Sequence, residues 1–211
     1  MNGPHPRRPM DDRHGGDFDG PPSDPRATQR SRLWDAAWAP SDPSGPDLHR
    51  EHPHRWMRVW SLPDGRRLPE GDADMAVILH RYRTVLEALN PEQAALTVVG
   101  ADWGPLDGVG GWTRRHLPGR RPWRISSLAD DGGTPGTTFF WASEGVATDD
   151  LDDLLRLAAV DAAHVIVVPP DMSWVFAPYD GGVDVLVIDS DSRETVRESL
   201  GPWLSTHPDG L

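Results

Sequence analysis

The order of apolar patterns along the chain constrains its fold more than any other feature of the sequence. One strand-like run precedes the first clear helical segment, and three such runs then follow before each of the next two helical segments. Strands that succeed one another without an intervening helix usually pair as antiparallel neighbours. The sequence therefore predicts an α+β fold, with a mostly antiparallel sheet and about three helices.

The helices and strands are predicted from the spacing of their apolar residues. Helices repeat such residues every three or four positions, and they are expected at about 71–89, 148–159 and 191–200. Strands alternate apolar and polar residues or run apolar throughout, and they are expected at 55–62, 95–100, 123–129, 137–143, 164–168, 173–177 and 183–188. Residues 101–122 are rich in glycine and are interpreted as a long loop.

The first 45 residues differ in composition from the rest of the chain. They are rich in Pro, Gly, Asp and Arg, and such a segment buries too little apolar surface to offset its ordering entropy. We therefore expect a disordered tail at 1–45 and a single α+β domain at 46–211. Within the tail, a short helix would place Trp34 and Trp38 on one face, either packed on the domain or available to a partner.

Composition excludes several classes of chemistry. The chain has no cysteine, and all 21 basic residues are arginine, so thiolate sites and a Schiff-base or phosphate-loop lysine are excluded. The net charge of -12 argues against binding to nucleic acid. We find no membrane span and no secretory signal, and we expect a cytoplasmic protein without a cofactor.

The turn between the last two strands raises the question of a site. Tyr179, Asp180, Gly181 and Gly182 are typical of a hairpin, because glycine accepts positive φ and aspartate caps turns. The same residues are also candidates for a binding site, in which Trp174 would line an adjoining wall. The sequence leaves both interpretations open.

Alternation along the first strand places Trp56, Arg58 and Trp60 on one face. An arginine between two indoles stacks on them through cation–π contacts. Trp and Arg also dominate the energetic centres of protein interfaces. These residues are therefore candidates either for ordinary packing or for a contact surface.

Three further clusters of charged or metal-binding residue types are less specific. Residues 112–124 contain five arginines, which suit binding of a carboxylate, a phosphate or an acidic partner, or a solvated loop that offsets the charge of nearby aspartates. Histidines at 49, 52 and 54 lack the spacing of a helical zinc site. Aspartates at 149–153 are better explained by the positive end of a helix than by a metal. We predict no metal site.

Two blocks of sequence resemble an uncharacterised family of bacterial proteins that carry a domain of unknown function. The blocks are "HRWMRVWSLPDGRRLPE" and "DMSWVFAPYDGGVDVLV", the latter followed by "VRESLGPWLSTHPDGL". The resemblance covers about residues 55–211 and implies no reaction. It marks Arg55, Arg58, Ser61, Leu62, Pro63, Trp174, Tyr179, Asp180, Gly181, Gly182 and Asp184 as positions of the family pattern.

Two functions remain open from the sequence. The leading hypothesis is a non-enzymatic module that binds one partner protein, with the immunity type as an analogy, and Trp56, Arg58, Trp60 and the 174–182 hairpin would form or support the contact surface. The alternative is a small-molecule enzyme with an Arg/Tyr/Asp pocket between Arg55 or Arg58 and the Tyr179–Asp180 turn. The oligomeric state does not follow from the sequence.

Overall fold

The structure is a computed structural model that describes residues 24–103, 111–127 and 137–205. Seven strands form one sheet, and every pairing between them is antiparallel. The strands are β1 (Trp56–Trp60), β2 (Leu96–Trp103), β3 (Arg121–Ser127), β4 (Thr137–Val146), β5 (Val165–Val168), β6 (Trp174–Tyr179) and β7 (Gly182–Val187). All seven predicted strands are therefore present, although residues 128–129 of the third prediction lie outside the described residues.

The described residues contain six α-helices, twice the predicted number. They are α1 (Pro25–Trp38), α2 (Gly45–Glu51), α3 (Asp72–Leu89), α4 (Gly111–His116), α5 (Asp152–Ala158) and α6 (Ser190–Leu200). The three predicted helices correspond to α3, α5 and α6. The prediction missed α2 and α4 because helices of seven and six residues are too short to show a clear apolar period.

The sheet follows the order β1-β7-β6-β5-β2-β4-β3. The hairpins β3–β4, β5–β6 and β6–β7 join neighbours in sequence, whereas β1 pairs with β7 across most of the chain. This long-range pairing brings the two sequence blocks of the family pattern side by side. Arg58 on β1 thus lies directly opposite Asp184 on β7.

One face of the sheet is covered by α3, α5 and α6. Helix α3 is the largest contributor, and its predicted apolar stripe is buried as expected at Ile78, Leu79, Tyr82, Val85, Leu86 and Leu89. Tyr82 also donates its hydroxyl to the carbonyls of Tyr179 and Gly182, at 2.7 and 2.8 Å. Helix α3 therefore fixes the β6–β7 turn as well as filling the core.

The opposite face is covered partly by α1 and α2, which requires a correction to the predicted tail. Trp34 and Trp38 of α1 are fully buried against this face, and Trp38 donates its indole N–H to the carbonyl of Met172 at 2.9 Å. The prediction of disorder is therefore wrong for residues 24–45. Residues 1–23 lie outside the described residues.

Of the two possibilities that the sequence leaves open for Trp34 and Trp38, the structure favours packing on the domain. Their indoles lie 6.3 Å apart, and Trp34 meets Trp123 of β3 edge to face at 5.7 Å. The composition of residues 1–45 did not indicate an ordered helix, because only about one residue per turn of α1 is buried. The buried residues are Ala27, Arg30, Trp34 and Trp38. Four buried residues at helical spacing are enough to order a segment that is otherwise polar.

Within the described ranges, no helix has both the length and the apolar character needed to cross a membrane. The same ranges contain no group of three or more His, Asp or Glu side chains arranged to hold a metal ion. His49 and His52 instead contact separate indoles, those of Trp56 and Trp38.

Candidate functional site

A cavity of about 470 Å³ opens on the face of the sheet that α1 and α2 leave partly uncovered. We call it the α2 pocket, because residues 43–49 at the start of α2 form one of its walls. Its floor is made by small residues of β2 and β6, Ala101 and Ala177. A Cβ atom on Gly45 would lie 3.4 Å from the Cβ of Ala177, so the wall and the floor meet in contact.

A buried ion pair forms one end of the α2 pocket. Arg58 donates from Nε and Nη2 to the two carboxylate oxygens of Asp184, at 2.9 and 3.3 Å. Their side chains are only 13% and 8% exposed. A bidentate pair of this kind fixes the orientation of both side chains and leaves this end of the pocket formally neutral.

Aromatic rings hold the guanidinium of Arg58 from both sides. Its central carbon lies 5.1 Å from the ring centroid of Trp56 and 5.2 Å from that of Tyr179. His49 of α2 in turn stacks on Trp56, with centroids 4.0 Å apart and planes 21° apart. The sequence predicted an arginine between two rings, and the structure has Tyr179 as the second ring.

The charge of Arg58 is secured by its partner. Burial disfavours the charged guanidinium, but the hydrogen bonds and the charge of Asp184 outweigh burial, so the pKa of Arg58 is raised above its ordinary value. Arginine is charged at any physiological pH in any case. Arg58 therefore acts as a fixed charged group in the wall of the pocket and not as an acid or base.

Tyr179 reaches the pocket because residue 182 has no side chain. A Cβ atom at Gly182 would lie 3.0 Å from the Tyr179 hydroxyl and 2.6 Å from the carbonyl oxygen of Val59. The Tyr179 hydroxyl is buried without a hydrogen-bond partner among the described residues. Burial is also the main reason that the pKa of Tyr179 is raised above its usual range.

The far wall of the pocket is aromatic and open to solvent. Trp103, at the end of β2, is 51% exposed, and its ring meets that of His164 edge to face with centroids 4.4 Å apart. The side chain of His164 is itself half exposed, and Asp161 lies 4.0 Å from its Nε2. Half-exposed aromatic rings beside a cavity are a common feature of ligand sites.

The structure separates the predicted site residues into three groups. Arg58 and Tyr179 line the α2 pocket, and Trp56 supports Arg58 from behind while remaining 7% exposed. Trp60 continues the same face of β1 and is half-buried opposite Gly182. These residues therefore form a connected cluster around the β1–β7 pair.

Trp174 belongs to the other face. It is only 7% exposed and packs in the core beneath α3, α5 and α6. Strand alternation explains this, because residue 174 and residue 179 have opposite parity and their side chains point to opposite faces. The expectation that Trp174 would line a wall beside Tyr179 is wrong.

Asp180 and Gly181 of the turn make hydrogen bonds within the chain. Asp180 accepts two hydrogen bonds from Nη2 of Arg67, at 3.0 and 2.8 Å. Gly181 has φ of +125° and accepts a hydrogen bond from the amide of Ser61 through its carbonyl. Arg55, the other arginine of the predicted enzyme pocket, instead donates to the carbonyl of Ala37 and lies over Trp38.

Two arginines of the basic segment at 112–124 bind carboxylates from within the chain. Arg124 contacts Asp35 at 2.9 Å and Asp42 at 3.4 Å, and Arg121 lies 3.9 Å from Asp24. All three aspartates belong to the segment around α1. These two arginines therefore offset the negative charge of nearby aspartates.

Sequence reasoning missed the pocket residues that come from elsewhere in the chain. His49, Trp103 and His164 carry no motif, and only the strand order brings them together. Asp184 had a usable signal, since it is a charged residue in the middle of an apolar strand and is 6% exposed. A buried carboxylate of this kind requires a cationic partner.

Comparison with known proteins identifies the family. A family model described as a domain of unknown function, DUF3885, matches residues 45–208, which is well over half of the chain. The chain belongs to the DUF3885 family. Neither the curated proteins nor the solved structures contain a significant match to it.

The DUF3885 match covers most of the α2 pocket but not all of its support. It begins at Gly45, the first residue of α2, and includes all seven strands. Helix α1 and the residues that connect it to α2 precede the match. The DUF3885 domain of this chain therefore lies against a helix that the family model does not cover.

Proposed function

We propose that the protein is a small-molecule-binding protein and that the α2 pocket is its ligand site. The observation that carries the proposal is the convergence of Arg58, Asp184 and Tyr179 with Trp103 around one cavity of about 470 Å³. Ligand sites in proteins are mostly apolar cavities of roughly 300–1,000 Å³ that contain a few fixed polar groups. The pocket has this size and this composition.

The polar groups of the α2 pocket are arranged to form hydrogen bonds with a ligand. The Arg58–Asp184 pair presents N–H donors and carboxylate oxygens within one rigid unit, which suits a ligand group that both accepts and donates hydrogen bonds. The rings of Tyr179 and Trp103 supply flat apolar surface beside it. We therefore propose non-covalent binding of a molecule that contains a planar ring and a hydrogen-bonding group.

A partner protein is the second candidate, and one observation favours it. Trp103 is 51% exposed at the pocket mouth, and exposed tryptophans are frequent at the centre of interfaces. Trp56 and Trp174 no longer support this candidate as direct contacts, because both are buried. A partner would have to insert a side chain into the same pocket, in the cytoplasm as expected from the sequence.

The test is a fragment screen by ligand-observed NMR on three folded proteins. Ala101→Phe fills the pocket floor, and Ala76→Phe makes the same change at an exposed position of α3, on the opposite side of the sheet. We expect ring-containing fragments to bind the wild type and Ala76→Phe, with at least tenfold weaker binding to Ala101→Phe. Equal binding to all three proteins, or no saturable binding to the wild type, would contradict the proposal.

A further inference from the structure

The charges around the α2 pocket bear on the class of ligand that it takes. Two formally charged side chains line it among the described residues, Arg58 and Asp184, apart from the histidines His49 and His164. Because Arg58 and Asp184 neutralise each other at 2.9 Å, the pocket wall presents no net positive charge for an anionic ligand. An anion that entered would compete with Asp184 for the same guanidinium.

The mouth of the pocket favours positive charge. The half-exposed face of Trp103 is a cation–π surface, and an indole is the strongest of the aromatic side chains in this role. Asp161 adds an exposed carboxylate near the same wall, with its side chain 62% exposed and 4.0 Å from His164. Both groups attract a cation that lies at the mouth.

The charge of the whole chain acts in the same direction. The formal net charge is -12, with 33 acidic and 21 basic residues. A net charge of this size repels anions and concentrates cations at the surface, an effect that weakens with added salt. Long-range attraction and local contacts thus select the same sign of ligand.

Building on the proposed function, we infer that the α2 pocket binds a cationic ring compound, an arylalkylamine whose ring enters the pocket and whose ammonium group lies at Trp103. The ring rests on the floor formed by Ala101 and Ala177, close to Tyr179. The ammonium group faces the indole of Trp103 and the carboxylate of Asp161. The proposed function leaves the charge of the ligand open, and the inference is that this charge is positive.

Three phenyl compounds of matched size test the inference: 2-phenylethylamine, phenylacetamide and phenylacetate. Their dissociation constants are measured by NMR titration at low salt and pH 8, above the ordinary range in which imidazole titrates. We expect the amine to bind about fivefold more tightly than the carboxylate, the ratio that a cation–π contact at an exposed site supports. The neutral amide should lie between them.

Two variants test whether the preference for the amine over the carboxylate depends on Trp103. Trp103→Ala should reduce the difference between the amine and the carboxylate to the part that Asp161 and the net charge supply, whereas Val77→Ala, a change at an exposed apolar residue of α3, should preserve it in full. If the carboxylate binds as tightly as the amine and Ala101→Phe still abolishes binding, the pocket is real and the charge inference is wrong. If no compound binds in a manner sensitive to Ala101→Phe, both the inference and the proposed function are contradicted.

Discussion

At the scale of single residues, the site depends on groups that are buried and specifically partnered. Arg58, Asp184 and Tyr179 are held by one another, and Gly182 makes the space that Tyr179 occupies. The sequence identified Arg58 from the alternation along the first strand, and it identified Tyr179 and Gly182 from the hairpin turn. It could not supply their partners, because residue 58 and residue 184 meet only through a long-range strand pairing.

Asp184→Ala tests the ion pair. The substitution leaves the guanidinium of Arg58 buried without its carboxylate, and breaking a buried pair in this way typically costs about 3–5 kcal/mol. We expect a loss of that size in the free energy of unfolding, measured by urea denaturation. Glu92→Ala, which removes an exposed carboxylate outside the pocket, is the control and should change stability by less than about 1 kcal/mol.

Gly182→Ala tests the space below Tyr179. The added methyl group would lie 2.6 Å from a backbone oxygen, so the strand or the tyrosine ring must move, at a cost of about 1–3 kcal/mol. Gly201→Ala is the matched control, since no heavy atom lies within 4 Å of the added group. Equal thermal denaturation midpoints for the two variants would contradict the packing described for Tyr179.

At the scale of secondary-structure elements, the sequence predicted all seven strands and the helices α3, α5 and α6, but it missed α2 and α4 and assigned α1 to a disordered tail. The stripe of α3 and the runs of β5 and β7 are continuous enough to be recognised from spacing alone. Helix α1 was concealed by its Pro, Asp and Arg content, although Trp34 and Trp38 were correctly placed on one face. The strand order could not be predicted, because no local pattern specifies that β1 pairs with β7.

The link between α3 and the β6–β7 turn gives a prediction about alkaline pH. Burial raises the pKa of Tyr82 above its ordinary value, so the folded protein retains the proton when the unfolded chain begins to lose it near pH 10. The stabilisation is complete below pH 10 and is lost as the pH rises above it. Tyr82→Phe removes two hydrogen bonds and should cost about 1–3 kcal/mol at pH 7.

The measurement for Tyr82 is urea denaturation of the wild type and Tyr82→Phe between pH 7 and pH 11. The wild type should lose part of its advantage over the variant above pH 10, because the variant has no proton to lose at this position. A constant difference across the whole pH range would show that the hydroxyl of Tyr82 titrates as it does in the unfolded chain.

At the scale of the whole molecule, the folded unit extends beyond the DUF3885 match. Helix α1 precedes residue 45 and contributes two fully buried tryptophans to the core of the second sheet face. Removal of one buried tryptophan typically costs about 3–5 kcal/mol, a large fraction of the total stability of a domain. We therefore predict that residues 45–208 alone do not form a stable protein.

A comparison of two truncated chains tests this claim. Residues 24–208 and residues 45–208 differ by α1 and its connection to α2. We expect the longer chain to unfold cooperatively in urea and the shorter one to be unfolded or aggregated, with loss of near-ultraviolet circular dichroism. A shorter chain with the same denaturation midpoint as the longer one would show that α1 is dispensable.

The central claim is that the α2 pocket is a ligand site, and the tryptophan indole region of a ¹⁵N–¹H correlation spectrum tests it most directly. The chain has ten tryptophans, and Trp103 is the one that lines the pocket among the described residues. During titration with 2-phenylethylamine, we predict a saturable shift of the Trp103 indole signal, assigned through Trp103→Phe. The signals of the buried Trp34, Trp38 and Trp123 should stay in place. Shifts confined to those signals, or a Trp103 signal that moves with none of the three phenyl compounds, would contradict the account.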